Sequence, residues 1–243
     1  MHLSNATWPE LRDAETNLAV VPVGSTEQHG PHAPLGTDAV NAEAVAEAGV
    51  ERADRDVVVA PTVSVGVSEE HRHFAGTLWV SPDTFRAYVR ELVESLATHG
   101  FDRIVLVNGH GGNVDALREV SAAVSRSGEA FVVPFTWFDA VGDHRTDMGH
   151  AGPLETALLR AERPELVREG KIDEARDGAS DRWGDWVGRV NLAYDSAEFT
   201  ENGVVGDPDE GDAELGEELL DGAAESLSAL LAAVADRERT ERR

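Results

Sequence analysis

Glu27 and His29 stand two residues apart in the run Gly24-Ser-Thr-Glu-Gln-His-Gly, and Asp38 follows shortly after. In extended chain, side chains at that spacing point the same way, so both can face one metal region. Asp38 returns where a helix is expected to begin, a place the helix dipole favours for a carboxylate. His110 sits among Gly109, Gly111 and Gly112, which let the backbone approach a ligand closely. The chain has no cysteine, so any metal must be held by His, Asp and Glu. Such a set suits zinc, manganese or iron, and a catalytic role with open positions. Two neighbouring ions need a bridging carboxylate. Asp38 is the natural bridge, with Glu27 and His110 on one ion and His29 plus a further carboxylate on the other. Each residue alone has a plainer reading: Asp38 as a helix cap, His110 as a turn histidine.

The elements that must position these residues are legible from periodicity. The apolar run Leu18 to Val23 reads as a buried strand, followed by a polar loop from Gly24 to Gly36. A helix capped by Thr37 or Asp38 follows, running through residues 39–53. Val57 to Ala60, Ile104 to Val107 and Phe131 to Pro134 read as further strands. Ser81-Pro82 opens a helix that Gly100 stops, and residues 114–128 form another. Helices are also expected over 153–161 and 213–236, the last with a stripe including Leu215, Leu219, Leu220, Leu227, Leu230 and Leu231. Strands alternating with helices imply crossovers and a mostly parallel sheet covered on both faces. The expected fold is therefore α/β, a three-layer α-β-α sandwich in one domain over 1–243, with a lid or excursion around 169–200. In such sheets ligands bind beyond the carboxyl ends of the strands. The first strand exits into the Glu27 loop and the third into Asn108-Gly-His-Gly-Gly-Asn113. The fourth is followed, further on, by Gly149-His-Ala-Gly-Pro-Leu-Glu-Thr156.

Composition excludes several classes. The 243 residues, 41% hydrophobic, suffice for a substantial core. No run of about 18 apolar residues marks a membrane span, and the first residues do not read as a secretory signal, so a cytoplasmic protein is expected. The 46 acidic residues against 21 basic ones leave a net charge of −25. That field repels phosphate backbones and argues against nucleic acid as a partner. With Lys171 the only lysine, the acidity reads as a solvated surface adapted to high salt. The acidic run Asp207 to Asp212 lacks calcium-loop spacing and reads as surface charge. Glu69, Glu70, His71 and His73 form a second histidine and carboxylate cluster with two readings, a lining of the pocket and, slightly preferred, a solvated loop. His32 reads as structural, fixing its loop against Pro31 and Pro34.

Four motifs in order, VPVGSTEQHGPHAPLGTD, LVNGHGGN, GHAGPLETALL and NGVVGDP, resemble the creatininase (creatinine amidohydrolase) family from the first strand to Pro208. The resemblance implies a layered hydrolase with two divalent ions, zinc or manganese with iron also admissible, held by Glu27, His29, Asp38 and His110. It implies a catalytic role for His150 and a homo-oligomer, commonly a hexamer. Creatinine amidohydrolase itself carries a glutamate two residues after the third-strand histidine. This chain has Gly112 there, and Glu155 is the expected substitute on the second ion. The expected function is hydrolysis of a small-molecule amide, a creatinine-like cyclic one, by a hydroxide that the two metals activate, with His150 protonating the departing nitrogen. Peptide hydrolysis of the mycofactocin-maturation type, favoured by motif style, and deformylation of a formamidopyrimidine nucleotide are the alternatives within the family. A non-enzymatic small-ligand module is the alternative outside it.

Overall fold

The computed structural model describes residues 1–237. Its centre is a four-stranded parallel sheet: β1 (Leu18–Val23), β2 (Val58–Val59), β3 (Arg103–Asn108) and β4 (Phe131–Thr136), in the order β2-β1-β3-β4. Seven helices accompany it: α1 (Trp8–Arg12), α2 (Thr37–Glu51), α3 (Pro82–Thr98), α4 (Val114–Ser127), α5 (Pro153–Glu162), α6 (Ile172–Asp177) and α7 (Ala213–Ala235).

Two apolar layers follow from strand alternation. Leu18 and Val20 of β1 and Val105 and Val107 of β3 face α2, α5 and α7, packing with Val45, Leu158, Leu219 and Leu227. The intervening Ala19, Val21, Ile104 and Leu106 face α3 and α4, packing with Phe85, Val93, Leu117 and Val124. Every residue of β1 and β3 is buried, as expected of parallel strands covered on both sides. The α-β-α sandwich read from the sequence is the observed fold.

The differences lie at element ends, where they bear on the site. β2 is two residues long, shorter than expected, and beyond it the β1 edge bonds loop residues, Val63 N donating to Pro22 O at 2.9 Å. β4 runs on to Thr136, because the register Val23↔Asn108↔Thr136 carries the ladder to the carboxyl edge. Pro134 is tolerated there because β4 is an edge strand. The α2 cap is Gly36, and no side chain caps it. Thr37 Oγ1 donates instead to Pro34 O at 2.8 Å, and Asp38 lies inside the first turn with its carboxylate free to point at histidines. Ser81 caps α3 as expected, accepting from Thr84 N at 3.3 Å.

Residues 169–200 contain α6 and an antiparallel pair, β5 (Trp186–Val187) and β6 (Val190–Asn191). The segment is tied to the turn at 69–73: Arg72 donates to Asp195 at 2.7 Å, and Ser196 Oγ donates to Glu70 O at 3.1 Å. Among the described residues no helix is long and apolar enough to cross a membrane.

Candidate metal centre

All four motifs converge at the carboxyl edge of the sheet. β1 delivers Glu27 and His29, and Glu27 N donates back to Leu35 O at 2.8 Å, folding the loop onto the start of α2. There Asp38 stands between two imidazoles. Its Oδ1 lies 3.1 Å from His29 Nε2 and its Oδ2 lies 3.2 Å from His110 Nδ1. His110 Nδ1 is also 3.2 Å from Glu27 Oε1. Glu155, in the first turn of α5, places Oε2 3.6 Å from His29 Nε2. All five of these side chains are buried.

His150 reaches the same place by a strained turn. Its backbone pairs with Val205, with His150 N donating to Val205 O at 3.0 Å and His150 O accepting from Val205 N at 2.8 Å. The next residue, Ala151, has φ of 51°, the left-handed region that costs a side-chain-bearing residue about 1 kcal/mol or more. That twist aims Ala151 N at Glu155 Oε2, 2.6 Å away. The Gly-His-Ala-Gly motif has a steric reason. A Cβ at Gly149 would lie 1.9 Å from Val205 O, and one at Gly152 would lie 2.6 Å from it.

The hydrogen-bond pattern decides what the centre can hold. His110 Nε2 lies 2.7 Å from Val67 O, an acceptor only, so that nitrogen carries the N–H. Likewise His29 Nδ1 lies 3.2 Å from Glu27 O. In the neutral rings, His110 Nδ1 and His29 Nε2 therefore turn bare lone pairs toward carboxylates. Only a second proton or a cation resolves that contact. Without a cation the protons win. Burial pulls the His29 and His110 pKa values down, but Asp38, Glu155 and Glu27 outweigh it and hold both well above the ordinary value. Burial pushes Asp38 up, and the same two imidazoles outweigh it and bring it below the carboxylate range. Both Glu27 oxygens and Asp38 Oδ2 are buried, and no group outside the histidines donates to them. Unpartnered buried carboxylates are costly. Nitrogen and oxygen donors converge in three sets: Glu27, Asp38 and His110; His29, His150 and Glu155; and Glu27, His71 and His150. The donor chemistry fits a divalent cation, and Asp38 lies within 3.2 Å of an imidazole on either side.

His150 differs from the other two imidazoles. Burial, aided by His29, lowers its pKa, so it is neutral near pH 7. Its Nε2 lies 2.7 Å from Gln28 O and 2.8 Å from Gln28 Nε2, and its Nδ1 faces Glu27 Oε1 at 3.6 Å. His32 is buried, and its Nε2 meets Thr156 Oγ1 at 2.9 Å, tying the first loop to α5. Burial brings its pKa down to about 4, in keeping with a structural role.

The solvated loop expected over 69–73 is corrected at His71. That residue is 1% exposed and stacks on the His150 ring with centroids 4.3 Å apart. Its Nε2 lies 3.5 Å from Glu27 Oε1, and its Nδ1 lies 3.0 Å from Ser196 Oγ. Burial first, and the neighbouring histidines second, push its pKa far down. Glu69 and His73 do stay at the surface, His73 beside Asp195 at 3.2 Å. Nothing local marks His71 as buried, because its cover comes from Ser196 and Trp183, far along the chain.

The centre floors a cavity of about 640 Å³, lined among others by Glu70, His110, Gly112, His150, Arg182 and Trp183. Gly112 is required: a Cβ there would stand 2.1 Å from Val67 O and 2.5 Å from His110 Nε2. Gly112→Ala is expected to break the Val67–His110 bond that orients this imidazole, and to weaken metal affinity about 10- to 100-fold, as loss of an orienting partner does. Titration against a metal-ion indicator measures it; unchanged affinity would contradict the geometry.

Known proteins agree with this architecture. The family described as creatinine amidohydrolase matches residues 4–231. A mycofactocin precursor peptide peptidase of Mycolicibacterium smegmatis is 39% identical over 219 residues, covering 86% of this chain and 84% of the relative. A creatinine amidohydrolase of Pseudomonas putida is 31% identical over 189 residues, covering 66% of this chain and 71% of the relative. A solved mutant creatininase of Zn-Zn type superimposes with a TM-score of 0.78 at 25% identity, covering 97% of this chain and 98% of the other. With a family match across nearly its whole length and the buried histidine–carboxylate centre that such hydrolases need, the chain belongs to the creatininase family, metal-dependent hydrolases acting on C–N amide bonds.

Proposed function

We propose that this protein hydrolyses an amide bond of a short peptide at a pair of divalent cations, zinc or manganese. The observation that carries the metal reading is the buried Glu27–Asp38–His110 and Asp38–His29–Glu155 arrangement, whose imidazole nitrogens face carboxylates, with Glu27 and Asp38 having no donor beyond those histidines. One cation would take Glu27, Asp38 and His110; the other would take Asp38, His29 and Glu155. When bound, such a pair supplies Lewis acidity and a water acidic enough to ionise near neutral pH. The chain's own part is orientation and proton movement. Asp38 fixes the spacing of the two imidazoles. The neutral His150, held at Nε2 by the backbone and side-chain amides of Gln28, takes a proton from the attacking water and delivers it to the departing nitrogen, a poor leaving group as an anion.

The peptide reading is supported by the 39% identical relative, a peptide peptidase, and by a cavity within the roughly 300–1,000 Å³ that holds drug-sized ligands. A creatinine-like cyclic amide is the second reading, supported by the Pseudomonas putida relative. Turnover of short peptides, creatinine and a formamidopyrimidine nucleotide by metal-replete protein in high salt separates the readings. Peptide hydrolysis is expected, and turnover of creatinine alone would overturn the peptide reading.

Cation binding should also stabilise the fold, since it neutralises Glu27 and Asp38. Saturating metal at 100 times its dissociation constant contributes about 2.7 kcal/mol. Chelator-stripped protein is expected to melt several degrees lower in scanning calorimetry, and to recover on adding zinc or manganese. Identical melting with and without metal would count against a buried metal pair.

A further inference from the structure

We infer that Glu70 is a specificity-determining residue, accepting a hydrogen bond from a protonated amine of the substrate beside the scissile amide. Glu70 lines the cavity over the metal centre, and one of its carboxylate oxygens lies 3.0 Å from where a Cβ at Gly112 would stand. The glycine thus leaves the space beside His110 to the Glu70 carboxylate. The main chain of Glu70 is anchored in a single turn over 69–71 and by Ser196 Oγ.

Its own backbone N–H and the charge of the nearby His110 act on this carboxylate, and among the described residues no side chain is seen to donate a hydrogen bond to it. Its neighbours are committed elsewhere. Arg72 is paired with Asp195 and Glu69, and Glu155 with Ala151 N. Glu70 belongs to none of the three histidine–carboxylate sets, so its place is toward the cavity rather than in the metal cradle. Asp147 and Asp181 also line the cavity, but both are exposed to water, whereas Glu70 is half-buried. A half-buried carboxylate that no protein side chain supplies with a hydrogen bond is best satisfied by a cationic N–H group, the stronger class of hydrogen bond. The net charge of −25 favours arrival of such a cation. If the substrate is a peptide, the matching group is its terminal ammonium; that identification rests on the function proposed above, while the amine site does not.

The test needs no turnover. Dissociation constants of glycinamide and of N-acetylglycinamide are measured by calorimetry on metal-replete wild-type protein and on Glu70→Gln and Glu70→Ala. Metal content and melting temperature are measured on each. The wild type is expected to prefer the free amine by about tenfold or more, the scale of one hydrogen bond to a charged group. Both variants are expected to lose that preference while keeping wild-type metal content. An equal affinity of the wild type for both compounds would overturn the proposal, as would a preference that survives in the variants. Loss of one metal equivalent on substitution would also overturn it, making Glu70 a ligand. Should one variant fail to fold, the other decides. A preserved amine preference without any peptide hydrolysis would sink the peptide reading and leave the role of Glu70 standing.

Discussion

Asp38→Ala protein is expected to hold neither cation stoichiometrically and to lose about 10³-fold or more in amide hydrolysis, several kcal/mol of electrostatic stabilisation at about 1.4 kcal/mol per tenfold. Among the described residues Asp38 alone pairs with both imidazoles: Oδ1 faces His29 and Oδ2 faces His110. Removing it leaves Glu27 with His110 on one side and Glu155 with His29 on the other, each a carboxylate–imidazole pair without a bridge. Metal analysis by inductively coupled plasma, run beside the hydrolysis assay, gives the answer. Circular dichroism checks that α2, capped by Gly36 rather than by Asp38, still forms. Two metals per chain and full turnover in this variant would end the bridged reading. Asp38→Asn should fall between, since an amide oxygen can bind one cation but bridges two poorly.

His150→Ala separates chemistry from metal binding. It is expected to keep the Glu27–Asp38–His110 cation and to lower kcat by about 10²- to 10⁴-fold, the range for removal of a general acid–base group. The fall should appear in kcat more than in KM, because the lost interaction belongs to proton transfer. His150 also joins the set with His29 and Glu155, so affinity for the second cation is read in the same experiment. Unchanged turnover would remove His150 from the mechanism. Loss of a metal with kcat restored by excess ion would make it a ligand instead. Wild-type pH dependence carries a sign that follows from burial. A buried imidazole with lowered pKa stays neutral as pH falls through its ordinary range, so the His150 limb of the acid side should lie below the ordinary histidine value. Its absence from the His150→Ala profile is the check.

Much of the centre was legible because its signals are local. Glu27 and His29 share one extended stretch, and that stretch leaves a strand whose six residues are all apolar. The alternation of strands and helices then places the exit loops of β1 and β3 on one edge. Glu155 was legible too, as the carboxylate five residues past His150, although its aim at His29 depends on the Ala151 twist and the Val205 pairing.

What escaped the sequence shares one physical cause. His71 and Glu70 lie in a turn of charged residues whose composition reads as solvated. They are drawn from water only because Ser196 and Trp183 fold over them. The α2 cap was misplaced because capping propensity is a local preference, and the cation centre competes for the same carboxylate of Asp38. By itself the sequence determined the layered fold and the edge of the sheet where chemistry gathers, since these rest on periodicity; the loops offered Glu27, His29, Asp38 and His110 as donors, and Glu155 came from the family resemblance. Only the tertiary structure decided that His71 joins them, that Gly112 yields its space to Glu70, and that four imidazoles divide into two pressed against carboxylates, His29 and His110, and two held neutral, His71 and His150. Those outcomes depend on burial and on hydrogen bonds between residues more than a hundred positions apart, which no local pattern records.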